Sequence, residues 1–253
     1  MFSVIICSVD SNRLARVKAM YEGVFRGTDW ELIHINDARS LAEGYNRGVG
    51  QSKGDKLIFS HDDIVIFSPQ VPQRLERHLA SFDIVGVAGT TLLYCPAWHW
   101  AGPPHIFGQV AYPSPIEAGK FDVNIYGAPF PVIRDIQAID GLFMAARRSV
   151  FGAISFDSAT FDGFHHYDLD FSYCAFRAGL RLAVVNDICV LHASGGNYDQ
   201  VWQHYAMKFQ QKWFAGRPVQ IARSFKWTCA RASNLAEALE MMTPPYWRQH
   251  DKE

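Results

Sequence analysis

The chain has 253 residues, 49% of them apolar and 19% charged, a balance that suits one large domain or a domain with an appendage and excludes long disorder. Its formal charge is −1, so no bulk attraction draws it to nucleic acid or an anionic membrane. The five cysteines are odd in number and scattered without a CxxC pair. With no signal-peptide start and no apolar run of the ~18–20 residues that a membrane span needs, they predict a soluble protein of the cytoplasm.

The first ninety residues alternate strand and helix signals. Residues 3–9 form a short apolar run rich in β-formers. After the polar Asp10-Ser11-Asn12, the residues Val17, Met20, Tyr21 and Val24 recur at helical spacing. Residues 30–35 read as a second strand, and Ser40 with Glu43 makes a capping box for a helix carrying Tyr45 and Val49. Residues 56–61 are a third strand, 69–82 a helix and 84–88 a fourth strand. Strands separated by such helices imply a mainly parallel sheet covered on both faces.

The rhythm then breaks. Residues 90–135 hold seven of the twelve prolines, with Trp98, Trp100, Tyr112 and Tyr126 among them. So aromatic an insertion predicts an ordered loop or small strands. Regular structure resumes at 137–146, followed by a helix over 168–179, a strand over 181–185 and an apolar run at 188–192. Beyond Gly195-Gly196 the pattern is helical over 199–213 and again near 234–242. Lys208 to Arg231 contains six basic residues and no acid, leaving 18 basic against 25 acidic residues elsewhere.

Four clusters carry chemistry. His61-Asp62-Asp63 ends a strand, where ligands gather in open α/β sheets and carboxylates can hold Mg²⁺ or Mn²⁺; an isolated Asp-Asp pair is otherwise a solvated turn. Asp168 and Asp170 open a helix behind His165-His166, where an Asp is either a cap or a general base. His192 ends an apolar strand just before Ser194-Gly195-Gly196. Asp140-Gly141 precedes a buried strand.

Together and in this order, the clusters resemble the inverting family 2-type glycosyltransferases, from Ser3 to about Gly196. The likeness is densest at Ala42-Glu43-Gly44-Tyr45-Asn46-Arg47-Gly48 through Asp63, and from Asp140 onward. It implies a GT-A (Rossmann-like) α/β fold over 1–197 and a helical C-terminal extension over 198–253. It also implies a divalent metal, Mn²⁺ or Mg²⁺. The family's Asp-x-Asp motif falls on His61-Asp62-Asp63, so Asp63 is the expected metal ligand, with His61 in place of the first Asp and His192 as a further ligand. The family's Glu-Asp motif falls on Tyr167-Asp168, which makes Asp168 the expected base. Asp10 and Asp37 fall where the donor base is held, and Asn46, Asp62 and Asp63 complete the donor side. Trp98, Trp100, Asp140 and Gly141 are the acceptor-side candidates.

The implied activity is metal-dependent inverting transfer from a nucleotide-diphosphate sugar, a UDP-sugar above others, to a glycan or lipid-linked acceptor in surface glycan synthesis. The basic 208–231 segment, interleaved with aromatics, leaves open a peripheral contact at the inner membrane face. Two rivals remain. A sugar nucleotidyltransferase would carry a glycine-rich loop where this chain reads Ser8-Val9-Asp10-Ser11-Asn12-Arg13. A non-catalytic sugar-binding descendant would account for His61 and Tyr167.

Overall fold

The computed structural model describes residues 1–128, 130–219, 227–244 and Trp247. Its opening follows the predicted alternation: β1 (Phe2–Cys7), α1 (Ser11–Val24), β2 (Trp30–Ile35), α2 (Leu41–Gln51) and β3 (Lys56–Ser60). β1 lies parallel between β2 and β3, with Ile5 opposite Ile33 on one side and Phe59 on the other. Asp10 caps α1 by accepting the Asn12 and Arg13 amides, and Ser40 caps α2 by accepting that of Glu43.

The fourth predicted strand is two. After β4 (Ile64–Ile66) and α3 (Val71–Ser81), the run divides into β5 (Ile84–Gly86) and β6 (Ala88–Thr90), which belong to different sheets. Glycine permits the crossing: a Cβ on Gly86 would collide with Ile139, and one on Gly89 with the Ala138 carbonyl.

The Pro- and Trp-rich insertion is ordered. Trp98–Ala101 makes one 3₁₀ turn, and β7 (Ile106–Pro113) pairs antiparallel with β8 (Phe121–Tyr126). β9 (Val132–Ile133), β10 (Ala138–Ile139) and β11 (Phe143–Arg147) follow, then α4 (Tyr167–Arg177), β12 (Leu182–Val185) and β13 (Val190–His192).

The first sheet runs β2-β1-β3-β11-β5-β12-β9. It is mixed: β1 pairs parallel with β2 and β3, and β5 with β12, while β9 enters antiparallel to β12 and β11 antiparallel to both its neighbours. The cause is the short turn before β11, which starts the strand at the end where β3 stops, with Phe143 opposite Ser60. Alternate residues bury on opposite faces: Val4, Ile6, Ile58 and Val85 into the principal core, Ile5, Leu57, Phe59 and Ile84 into a second. The second sheet, β10-β6-β7-β13-β4, is also mixed. This is the mixed α/β, GT-A-type architecture the sequence implied.

The C-terminal segment adds α5 (Gln200–Phe214), β14 (Thr228–Ala232) and α6 (Leu235–Met242). α5 buries Tyr205, Phe209 and Phe214 in the principal core, and β14 pairs with β8. Three basic residues of this segment face the protein's own acids. Lys208 binds Asp162, Lys212 binds Asp157 and Asp170, and Arg231 binds Asp122. Arg223 and Lys226 lie outside the described residues. Among the described residues no helix is long and apolar enough to cross a membrane.

Candidate active site

Both sheets deliver their strand ends to one cavity of about 680 Å³. β3 stops at Ser60, and the His61 amide donates to the Leu142 carbonyl at 3.1 Å. β13 arrives antiparallel to β4 with His192 opposite Ile64, and the Ala193 amide donates to the Asp63 carbonyl at 2.9 Å. That register sets two residues 131 positions apart side by side.

His61, Asp63 and His192 form the only possible metal-ligating cluster of three His, Cys, Asp or Glu among the described residues. His192 Nε2 stands 3.2 Å from Asp63 Oδ1 and 3.4 Å from His61 Nδ1, and the remaining edge is 4.0 Å. Ligands about 2.1 Å from a shared ion sit roughly 3.0–3.4 Å apart, so two edges have the right span and the third needs about half an ångström of closure. The residues fit a divalent ion. Burial tends to raise the Asp63 carboxyl, but the hydrogen bond and charge of His192, then Ser194 and His61, outweigh it and hold it well below the usual range. Burial, then the nearby charge of His192, lowers His61, so its ring is neutral and has a free lone pair.

The His61 tautomer is set from behind. Tyr167 Oη lies 2.9 Å from His61 Nε2 and donates to the Gly141 carbonyl at 3.3 Å. With its proton on Gly141, the phenol oxygen accepts from Nε2–H, which leaves Nδ1 unprotonated toward Asp63 and His192. Tyr45 and Phe156 pack against the Tyr167 ring at centroid distances of 5.6 and 6.3 Å. The two departures from the family pattern, His61 and Tyr167, are therefore one hydrogen-bonded unit.

Asp168 enters the same cavity from the first turn of α4. The helix starts after His166, whose φ of 63° is left-handed and whose Nε2 donates to the Pro96 carbonyl at 2.9 Å. Asp168 Oδ2 accepts the Gly141 amide at 2.8 Å. Asp140 stands alongside, accepting the Leu142 amide at 3.0 Å and the Trp98 indole N–H at 2.9 Å. Burial, then the Asp140 charge, pushes the Asp168 carboxyl up to about 7. Gly141 is tightly held: an added Cβ would strike Tyr167 Oη and come within 2.7 Å of the Asp168 Cβ.

The other expected site residues divide. Asp62 lines the cavity, accepting from Ser8 Oγ at 2.6 Å with Arg13 3.7 Å away. Trp98 lines it, whereas Trp100 lines a neighbouring hollow. Asp10 spends its carboxylate on the α1 cap, although Arg13 beside it reaches the cavity. Asp37 is exposed and pairs with Arg47 at 2.7 Å. Asn46 bonds both the amide and the carbonyl of Phe156, at 3.1 and 2.7 Å, which makes it a strut between α2 and the segment before α4. His166, Tyr126 and Trp227 also line the cavity, as do Tyr198 and Trp202, which the sequence did not single out. The signal for two of them was available: Tyr198 and Trp202 are four residues apart, just beyond Gly195-Gly196-Asn197 at the start of a helical pattern.

Residues 3–213 match the model of a family described as "Glycosyltransferase like family". No curated protein sequence matches significantly. Matching solved structures include the crystal structure of A197 from STIV, at 12% identity and a TM-score of 0.45, covering 77% of this chain and 86% of that one. So loose a superposition carries no argument, but the family match spans most of the chain: it belongs to the glycosyltransferase-like family and is a glycosyltransferase of the GT-A, family 2-like type.

Proposed function

We propose that the protein transfers a sugar, with inversion, from a nucleotide-diphosphate sugar to an acceptor hydroxyl, in a metal-dependent reaction. The observation that carries this reading is the shared cavity: a His–Asp–His cluster fit for a divalent ion and a carboxylate raised to about 7 line the same space. Two imidazoles and one carboxylate favour Mn²⁺ over Mg²⁺, which prefers all-oxygen surroundings. The bound ion would offset charge building on the departing diphosphate.

The chain's own residues do the rest. Arg13, the only Lys or Arg among the described lining residues, puts a positive charge at the Asp62 end, where a donor phosphate benefits from it. Asp168 takes the proton from the acceptor hydroxyl as its oxygen bonds to the anomeric carbon. The bond from that carbon to the diphosphate breaks, and the nucleoside diphosphate departs with the electron pair. A base near pH 7 both accepts this proton and releases it afterwards. Asp140 keeps Asp168 basic and holds Trp98 in place. UDP-sugars are the donors to test first.

The division near residue 197 is then one of role: the part before it supplies ligands and base, and Tyr198 and Trp202 after it face the acceptor. Of the basic residues in 208–231, Lys208, Lys212 and Arg231 are paired with the protein's own acids, so a membrane contact would draw on the others. The decisive experiment follows sugar release and transfer from a panel of nucleotide sugars with Mn²⁺, with EDTA, and in Asp63→Ala. Undiminished turnover in EDTA would remove the metal from the mechanism. Binding of nucleotide sugars without turnover of any would leave a non-catalytic descendant.

A further inference from the structure

A second hollow of about 400 Å³ opens beside the cavity and shares His99, Tyr198 and Trp202 with it; Trp100 and Gln203 complete its lining. Its rings are braced edge to face, with centroids 5.0 Å apart for Tyr198 and Trp202, 5.6 Å for Trp100 and Trp202, and 5.7 Å for His99 and Tyr198. Inside the main cavity, Trp98, Tyr126 and Trp227 make a second bank, with neighbouring centroids 5.2 and 5.3 Å apart. Such bracing holds ring faces at fixed angles. The run of rings starts beside Asp140 and Asp168, through the Trp98 indole bond, and ends on the first turn of α5.

The chemistry of this run narrows its occupant. Among the described residues, none lining the second hollow is Lys, Arg, Asp or Glu, and the one Lys or Arg lining the main cavity, Arg13, pairs with Asp62 among the donor-side candidates. Burial holds His99 below its ordinary value, so it adds no positive charge. A phosphate or carboxylate in the second hollow would meet no Lys or Arg among its described lining residues. A pyranose ring, by contrast, offers C–H groups to an aromatic face and hydroxyls around its edge, and Gln203 and Tyr198, both lining the hollow, carry an amide and a phenol that can bond such hydroxyls. Tyr198 is 51% exposed, a large ring left open beside a cavity, as binding surfaces leave them.

We propose that the acceptor is an uncharged glycan of at least two sugar rings, the reacting sugar against Trp98 beside Asp168 and the next one in the hollow between Trp100 and Trp202. The proposal rests on reading Asp168 as the base only for which ring reacts; the binding site itself does not depend on that assignment. Affinity should therefore rise when the acceptor grows from one ring to two, and the gain should come from the second hollow.

The test is calorimetric binding to the full chain, with Mn²⁺ and UDP present. The probes are glucose, N-acetylglucosamine, maltose, cellobiose, diacetylchitobiose and their tetramers, alongside glucose 6-phosphate, glucuronic acid and geranyl phosphate. At least one uncharged disaccharide should bind more tightly than its monosaccharide. Trp100→Ala should remove that gain, weakening the disaccharide by about 2- to 10-fold, the range of one aromatic contact. Trp100→Tyr, which keeps a ring, should restore most of it and guards against a folding artefact. Binding by no uncharged glycan, tighter binding of the anionic or lipid probes, or a chain-length gain that survives in Trp100→Ala would each overturn the proposal. Failure of Asp168→Asn to slow turnover would strike the base instead and leave these affinities unchanged.

Discussion

The cavity has two walls of opposite construction. One is made of strand ends: His61 and Asp63 follow β3, His192 ends β13, and Asp168 opens the helix braced against them. The other is made of a 3₁₀ turn, a loop and a helix start, and it presents Trp98, His99, Tyr198 and Trp202. Charged chemistry needs atoms fixed within a fraction of an ångström, which regular elements supply. Ring faces tolerate looser placement, and irregular segments can carry them. The first wall also drives its carboxylates apart: Asp63 is pulled down by two imidazoles, while Asp168 is pushed up by burial and Asp140.

The largest effect that could break this contrast comes from Asp168→Asn, which keeps the shape and the bond from Gly141 but cannot take a proton. Turnover should fall by ~10²–10⁴-fold with donor affinity nearly unchanged. An equal loss of donor affinity would make Asp168 a binding residue. In the unmodified protein, kcat/KM should climb with pH and level off above about 7, a midpoint set by burial first and then by the facing Asp140 carboxylate.

Next comes the anchoring of the aromatic wall. Lys212 on α5 binds the buried Asp170 on α4 at 2.7 Å, and Trp213 donates to the same carboxylate at 2.7 Å. Lys212→Met leaves that carboxylate without its cation and should cost about 2–3 kcal/mol in urea unfolding, below the value for a fully buried pair because Lys212 is partly exposed. If the walls are independent, Mn²⁺ affinity should not change in the folded variant. A parallel loss of metal would show them to be coupled.

Tyr167→Phe probes the charged wall more finely. Without the phenol, His61 loses the partner that fixes its tautomer, and the dissociation constant for Mn²⁺ or Co²⁺ should rise about 10- to 100-fold. An unchanged constant by titration calorimetry would leave Tyr167 as packing for Tyr45 and Phe156.

The smallest effect is one of stability. Burial lifts the Asp168 carboxyl above its unfolded value, so the folded chain holds that proton longer. The associated stability is complete below about pH 4 and is lost as pH rises to about 7. Asp168→Asn escapes this loss. Its melting temperature should match the parent near pH 4 and exceed it by a few degrees at pH 8.

Much of the charged wall was legible in the sequence. His61, Asp63 and Asp168 follow strand ends or open a helix, and patterns of that kind survive in one dimension. The donor side was less so. Asp37 and Asn46 occupy plausible places, yet their side chains are taken by Arg47 and the Phe156 backbone, partners that only the folded chain brings near. The short strands escaped for a different reason. β4 and β9 have three and two residues and no period to read, while β14 lies at the end of the basic stretch and gains its place from pairing with β8. The aromatic wall was half visible, through Trp98, because its other half comes from residues a hundred positions away.

The antiparallel strand at the centre of the first sheet bears on how the chain is made. β3 and β5 are complete by residue 86, but the strand that joins them, Phe143–Arg147, is more than fifty residues further on. A nascent chain ending before it holds β3 with an open edge and β5 with no neighbour, since β12 comes later still. The opening βαβαβ run is thus not a unit that can settle early on the ribosome. Such distant pairing slows folding and prolongs the exposure of unpaired edges. Expression of a fragment ending near residue 130 should give aggregates, whereas splitting the chain in the exposed turn at 115–119, with both pieces present, leaves every pairing of the first sheet available.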